Sequence, residues 1–249
     1  MSALLKSELF ERYFESTASR GHTDSLNHYN RAADGIMRRL RSWLPREASA
    51  RFLDLACGCG EMLYALEREG FHHLTGVDIC AEELENARLR VRATLQCMDA
   101  LVYLRAAASA SFDCVSALNF LEHLDKDQLL LVLREVARIL RPGGTLIAIV
   151  PNALSPFCGI SRHWDLTHEW AFTPNNFQQL AKVTGFASSI DYRECGPEVH
   201  GITSALRYVA WQGIRRAIGL FLLVETASTK GGIYTIDMAV RMHSLGGSS

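Results

Sequence analysis

Two groups of side chains in this chain have the types and spacing to do chemistry. The first runs from Arg162 to Pro174 and sets His163, Trp164, Asp165, His168, Glu169 and Trp170 close together. Carboxylates in such a stretch hold hydroxyls, tryptophans stack on a sugar or another ring, and a histidine takes a proton near neutral pH. His168 is the best placed base, because Thr167 and Glu169 flank it and Asp165 lies just upstream to orient its ring. Asn119, Glu122 and His123 form a smaller polar set earlier in the chain. Each residue alone has a plainer role: Asp165 as a loop cap, His163 on the surface, His123 packed at a strand end.

The second group is three acids, Asp54, Asp78 and Asp99, each closing a short apolar run. After Asp54 the sequence Leu55-Ala56-Cys57-Gly58-Cys59-Gly60 gives way to Glu61-Met62-Leu63-Tyr64-Ala65-Leu66 at helical spacing. This reads as a buried strand, a tight glycine turn and a helix start, the first half of a βαβ unit. Glycine lets the backbone approach a ligand closely, and the helix start aims free N–H groups at the turn. An acid ending the second strand can accept both hydroxyls of a ribose. The ligand is therefore nucleotide-like. No Lys-Ser/Thr pair follows the glycines, which argues against ATP and GTP.

The elements that position these groups alternate: strands over 52–56, 73–78, 94–98, 112–118 and 144–150, with helices over 61–69, 81–90, 100–106 and 126–140. Apolar strands separated by helices imply a parallel, doubly wound sheet, with ligands at the carboxyl ends of its strands. Past Val150 the alternation stops. Thr173-Pro174 starts a helix that Gly185 ends, matching the N-cap, first-turn proline and C′ glycine preferences. Ser188–Glu194 and Ile233–Met242 alternate with period two and read as strands. Between them, an insertion over 196–230 carries a helix with Ile202, Leu206, Val209, Ala217, Phe221 and Val224 on one face and Arg207, Trp211 and Arg215 on another arc. It reads either as a helix covering the site or as a contact with a membrane surface or lipid carrier.

Asp54 to Gly60, Asp78, Asp99, Leu118-Asn119-Phe120-Leu121-Glu122-His123 and Leu140-Arg141-Pro142-Gly143-Gly144 together resemble class I S-adenosylmethionine (SAM) methyltransferases. The resemblance is strongest over residues 50–150. It implies a Rossmann-like, doubly wound α/β sheet of seven strands with a C-terminal antiparallel pair, a helical N-terminal segment and a helical insertion before the last strand. It implies SAM as cofactor, leaving S-adenosylhomocysteine, on Asp54, Ala56, Cys57, Gly58, Gly60, Asp78, Ile79, Asp99, Ala100 and Asn119. The polar stretches facing such a cofactor supply His168, Asp165, Glu169 and His123 as catalytic candidates, and no metal is expected. Ala56 stands where such enzymes usually carry glycine. N-terminal segments of related enzymes often close over the cofactor, which gives Tyr29 and Arg31 a place there. An NAD oxidoreductase is the competing class, and Arg141-Pro142-Gly143-Gly144 speaks against it.

The stretch Arg162 to Pro174 resembles methyltransferases of bacterial polysaccharide and glycolipid assembly, implying O-methylation of a sugar hydroxyl. Leu121-Glu122-His123-Leu124 also resembles quinone-ring O-methyltransferases, where acids and histidine can hold a divalent metal beside a catechol; Asn119 replaces a further acid of that pattern. A SAM-binding partner subunit without catalysis is the third reading.

Length and composition agree with one enzyme domain over 1–249: a helical cap over 1–46, the cofactor core over 50–150 and an acceptor-binding part over 151–249. The formal net charge of −1 offers no basic field for nucleic acid. Seven scattered cysteines read as reduced thiols of a cytoplasmic protein rather than a disulfide framework, and Cys57-x-Cys59 lacks the second pair that zinc would need. No secretory leader or membrane span is expected, and membrane association would be peripheral.

Overall fold

The computed structural model describes residue 9, residues 25–229 and residues 232–246. Apart from Leu9, the expected helix Glu8–Glu15 lies outside them, as do the turn before Ser25 and the tail after Gly246.

The seven strands are β1 (Arg51–Leu55), β2 (His73–Asp78), β3 (Thr94–Cys97), β4 (Phe112–Leu118), β5 (Leu140–Pro151), β6 (Phe186–Glu194) and β7 (Asp237–Ser244). They form one sheet in the order β3-β2-β1-β4-β5-β7-β6. β1 to β5 are parallel, and β7 runs antiparallel to both β5 and β6. Among the described residues, the helices α1 (Leu26–Leu40), α2 (Glu61–Arg68), α3 (Ala81–Arg88), α4 (Ala100–Ala106), α5 (Lys126–Ile139), α6 (Cys158–Trp164), α7 (Pro174–Thr184) and α8 (Ile202–Thr226) accompany it.

Both faces of the sheet are covered, which is why β1 is apolar without alternation: Phe52, Leu53 and Leu55 are all fully buried. Ala33, Met37 and Leu40 of α1 pack with α2 and α3 on one face. Leu104 of α4, Leu129, Val132 and Val136 of α5 and Phe177 of α7 fill the other. Register sets the strand ends level, with Asp54 beside Gly76 and Ser116, and Asp78 beside Cys97. Gly76 is fixed by packing, since a Cβ there would lie 2.6 Å from Leu63 and 2.8 Å from Cys57 Sγ.

Helix ends follow side-chain chemistry. Thr173 and Asn176 form a reciprocal capping box with Pro174 in the first turn, and Gly185 closes α7 in the left-handed region. Asp125 and Gln128 cap α5 in the same way.

Three departures from the expected layout have local causes. The last strand begins at Asp237 rather than Ile233, because Asn152 Nδ2 donates to the carbonyls of Ile233 and Thr235 at 3.0 and 2.8 Å in place of a ladder. Residues 158–164 form a helix that no apolar period announces; the Ser155 hydroxyl accepts from Phe157 N at its start. The helix expected over 28–44 is α1 followed by a tighter turn, Arg41–Trp43.

Candidate functional site

A cleft of about 1380 Å³ opens at the carboxyl ends of β1 to β4. Asp54, Ala56, Cys57, Gly58, Asp78, Ile79, Asp99, Ala100 and Asn119 all line it; Gly60 does not. Gly60 instead starts α2 with φ at 86°, and a Cβ there would crowd Ala87 of α3. Ala56 takes φ of 52° in the same turn, a left-handed conformation that costs an alanine and suits the glycine it replaces. Asn119 has φ of 54°, which asparagine tolerates, and donates its N–H to Ile149 O at 2.9 Å.

Asp78 ties this end together. Its Oδ2 accepts from Gly58 N and its Oδ1 from Cys80 N, each at 2.8 Å, so one carboxylate holds the glycine turn and the start of the next loop. A carboxylate has about four acceptor sites, and with the Ile79 backbone also donating, about one remains for a hydroxyl. Burial raises the Asp78 pKa, and these backbone donors oppose the rise. Asp99 also has a second task, capping α4 through Val102 N at 3.0 Å.

Asp54 is buried on the floor of the cleft and accepts from Ser116 Oγ at 2.6 Å. Burial pushes its pKa up to about 7, against that hydrogen bond and with help from Glu61 and Asp78. A buried acid cluster of this kind fits a ligand bearing positive charge. SAM carries a sulfonium and an α-ammonium, alongside the ribose and adenine that the strand-end acids suit. The residues present therefore fit the cofactor.

The N-terminal helix closes over the turn, but by other residues than expected. Tyr29 is buried, outside the cleft lining, and donates its hydroxyl to Cys59 O at 2.8 Å. Arg31 is exposed and off the cleft. His28, Ala32, Ile36 and Arg39 line the cleft instead. Their spacing is one face of a helix, a signal present in the sequence of α1.

At the other end the polar cluster is divided. His123 and Glu169 line the cleft, whereas His168 and Asp165 stand behind them. Asp165 Oδ1 accepts from Thr167 N and from Thr167 Oγ1, both at 2.7 Å. Burial would raise its pKa; the two Thr167 hydrogen bonds, with His123 and His168 nearby, outweigh it and hold Asp165 below the usual carboxylate range. Asp165 is thus ionised and can only accept. The Thr167 hydroxyl spends its single proton on Asp165, so its oxygen accepts from His123 Nδ1, 2.7 Å away. That fixes the proton on Nδ1 and the lone pair on Nε2 of His123. His168 meets the His123 ring edge-on at 4.7 Å and donates Nδ1–H to Ser161 O at 2.8 Å.

The tryptophans expected to stack on an acceptor line no part of the cleft. Trp164 is exposed on α6, and Trp170 packs on Phe172 while donating to Leu124 O at 2.8 Å. His163 is exposed. Sequence reasoning missed Arg39, Gln128 and Asp237, all of which line the cleft. Asp237 accepts from Ser161 Oγ at 3.2 Å, and burial raises its pKa. It starts β7, where the apolar alternation of the strand drew attention from its one acid.

Glu122 is buried with Oε2 lacking a hydrogen-bond partner, and burial pushes its pKa up to about 8. Glu122, His123 and His168 offer ligand atoms within 4.8 Å of one another, among the described residues a set able to hold a cation.

Residues 52–144 match the family model described as methyltransferase domain. The 27-O-demethylrifamycin SV methyltransferase of Amycolatopsis mediterranei (strain S699) is 37% identical over 116 residues, 43% of this chain and 41% of that protein. A ubiquinone biosynthesis O-methyltransferase of Xylella fastidiosa (strain 9a5c) is 31% identical over 115 residues, 44% of this chain and 46% of its own length. The chain spans less than half the length of these two relatives. In overall shape it is similar to a SAM-dependent methyltransferase from Archaeoglobus fulgidus, with a TM-score of 0.63 at 20% identity, covering 96% of this chain and 99% of the other. Fold, strand order and cleft together define the class I methyltransferase architecture. Residues 52–144 thus match a methyltransferase domain, and the fold is the one that SAM-dependent methyltransferases share.

Proposed function

We propose that the chain is an O-methyltransferase that moves the methyl of SAM to a hydroxyl of a small-molecule or glycan acceptor, with His123 as general base. The observation that carries this is the Asp165–Thr167–His123 chain of hydrogen bonds, which ends at a histidine lining the cofactor cleft. When bound, SAM supplies an electrophilic methyl on a sulfonium. An alcohol is protonated at neutral pH, so attack requires a group to take its proton as the new C–O bond forms. His123 Nε2 accepts that proton, and Asp165, through Thr167, steadies the imidazolium. Asp54, Asp78 and Asp99 hold the cofactor by its cationic group, ribose and adenine, while α1 excludes water from above.

Glu169, Asp237 and Arg39 surround the acceptor end with hydrogen-bonding groups, which suits a sugar hydroxyl of polysaccharide or glycolipid synthesis in a reducing, cytoplasmic setting. Relatives named for O-methylation support the reaction type. The test is transfer of labelled methyl from SAM to a panel of sugars, glycolipids and phenols. Sugar O-methyl products are expected; SAM binding with no transfer to any cell extract would leave a cofactor-binding partner subunit.

A second reading rests on the unpartnered Glu122 Oε2. Glu122, His123 and His168 would hold a divalent cation, whose chemistry is to polarise a catechol-type acceptor and lower its hydroxyl pKa. The general-base reading expects full turnover in excess chelator. Loss of turnover that magnesium restores would favour a quinone-ring acceptor.

A further inference from the structure

The cleft uses little of α8, whose 25 residues make the longest helix among those described. Its inner arc is anchored: Trp211 Nε1 donates to Glu194 Oε2 at 3.2 Å, and Arg215 donates to Gly232 O at 3.0 Å. Ser204, on the same arc, is its one buried residue. The outer arc is apolar. Ile202, Leu206, Val209, Leu220 and Val224 recur along one stripe and are 62–85% exposed. Isolated exposed leucines are ordinary on a surface; an apolar stripe about 33 Å long is not.

What covers this stripe is decided by charge. The helix carries Arg207, Arg215 and Arg216 against Glu225 alone, in a chain of net charge −1. At 100° per residue, Phe221 and Ile214, 64% and 53% exposed, widen the stripe into a broader apolar arc, which Arg216 borders on one side and Arg207 on the other. Neither makes a hydrogen bond or ion pair among the described residues. A second copy of α8 is the alternative occupant, since the stripe is symmetric about Gly213: 202 mirrors 224, 206 mirrors 220 and 209 mirrors 217. That antiparallel pairing would bring the two Arg216 borders side by side, with no acid on either to offset them. An anionic lipid surface satisfies both borders at once. No described helix is long and apolar enough to cross a membrane.

We propose that α8 docks the protein on an anionic bilayer, lying in the headgroup plane with the Ile202–Val224 stripe in the acyl boundary and Arg207 and Arg216 on lipid phosphates. The proposal does not depend on which hydroxyl is methylated. It places the cleft at a membrane surface, where an acceptor on a lipid carrier would be found.

Vesicle co-sedimentation of the full chain tests it, using phosphatidylcholine with and without phosphatidylglycerol. Binding is expected only with phosphatidylglycerol. The Arg207→Gln/Arg216→Gln variant should lose roughly 25-fold in partitioning, and high salt should weaken the native protein likewise. Leu206→Glu/Leu220→Glu should abolish binding while leaving SAM affinity unchanged, which shows that the variant is folded. Failure of the native chain to bind phosphatidylglycerol vesicles overturns the proposal, as does equal binding to both compositions. A dimer by light scattering that Leu206→Glu/Leu220→Glu dissolves, without vesicle binding, would assign the stripe to a second copy.

Discussion

The two ends of the cleft are built on different plans. The cofactor end is made where strands stop: Asp54 and Asp78 lie at the ends of β1 and β2, and Asp99 caps α4 just past β3. Parallel register sets each acid two residues beyond the partner of the one before. The acceptor end gathers side chains from α1, the turn after β4, the loop after α6 and the start of β7, with Arg39 and Asp237 far apart in sequence. A site at strand ends inherits its geometry from the sheet. A site assembled from loops depends on side-chain hydrogen bonds such as Asp165–Thr167–His123. The first should therefore tolerate little change in backbone and the second little change in polar partners.

The largest expected effect tests the acceptor end. His123→Ala should lower kcat by roughly 10²–10⁴-fold, the range of a lost general base, with SAM affinity nearly intact by calorimetry. His168→Ala should cost less, since His168 stands behind His123. Normal turnover in His123→Ala with a deep loss in His168→Ala would reverse the two roles.

At the cofactor end, Asp78→Ala removes the partner of the Gly58 and Cys80 amides as well as the proposed ribose acceptor. SAM affinity should fall by the equivalent of about 1.5–3 kcal/mol per charged hydrogen bond lost. Asp99→Asn should lose less than Asp99→Ala, because the amide still caps α4 and still accepts. Unchanged SAM affinity in Asp78→Ala would break the assignment of this end.

The raised pKa of Asp54 sets a pH dependence. Its folded value of about 7 lies above the unfolded carboxylate range, so the folded state holds the proton across the interval between them. The stability this contributes is complete below the unfolded pKa and is lost as pH rises through about 7. The melting temperature of the SAM-free protein should therefore drop between roughly pH 4 and 7, the ends of that window. Asp54→Asn should flatten the drop. A native protein whose melting temperature rises over the interval would contradict the buried, protonated Asp54.

The smallest effect is at Ala56. Ala56→Gly relieves a left-handed alanine and should raise stability by about 1 kcal/mol, less the entropy cost of glycine, in denaturant titration. A loss of stability would show that the turn prefers the methyl group.

The same contrast explains what could be read from residues alone. Strand-end acids, the glycine turn and the helix cap at Thr173 are local patterns, and the fold and the strand-end lining of the cleft were legible from them. The acceptor end was legible as a cluster but not as a geometry. His168 looked like the base because Asp165 is near it in sequence, yet Thr167 turns the carboxylate's hydrogen bonding toward His123, a residue 44 positions earlier. Trp164 and Trp170 shared the stretch but not the cleft, since α6 carries one outward and Leu124 O captures the other. Arg39 belonged to a helical face whose purpose appeared only once α1 lay over the cleft.

That helix reaches both ends. His28 near its start approaches Glu61 at 3.4 Å beside the glycine turn, and Arg39 near its end lines the acceptor region. If SAM and an acceptor both bind beneath it, one helix lining both ends couples them: tilting it to suit one changes the fit of the other. Thermodynamic linkage then requires symmetry. Whatever factor an acceptor adds to SAM affinity, SAM must return to the acceptor.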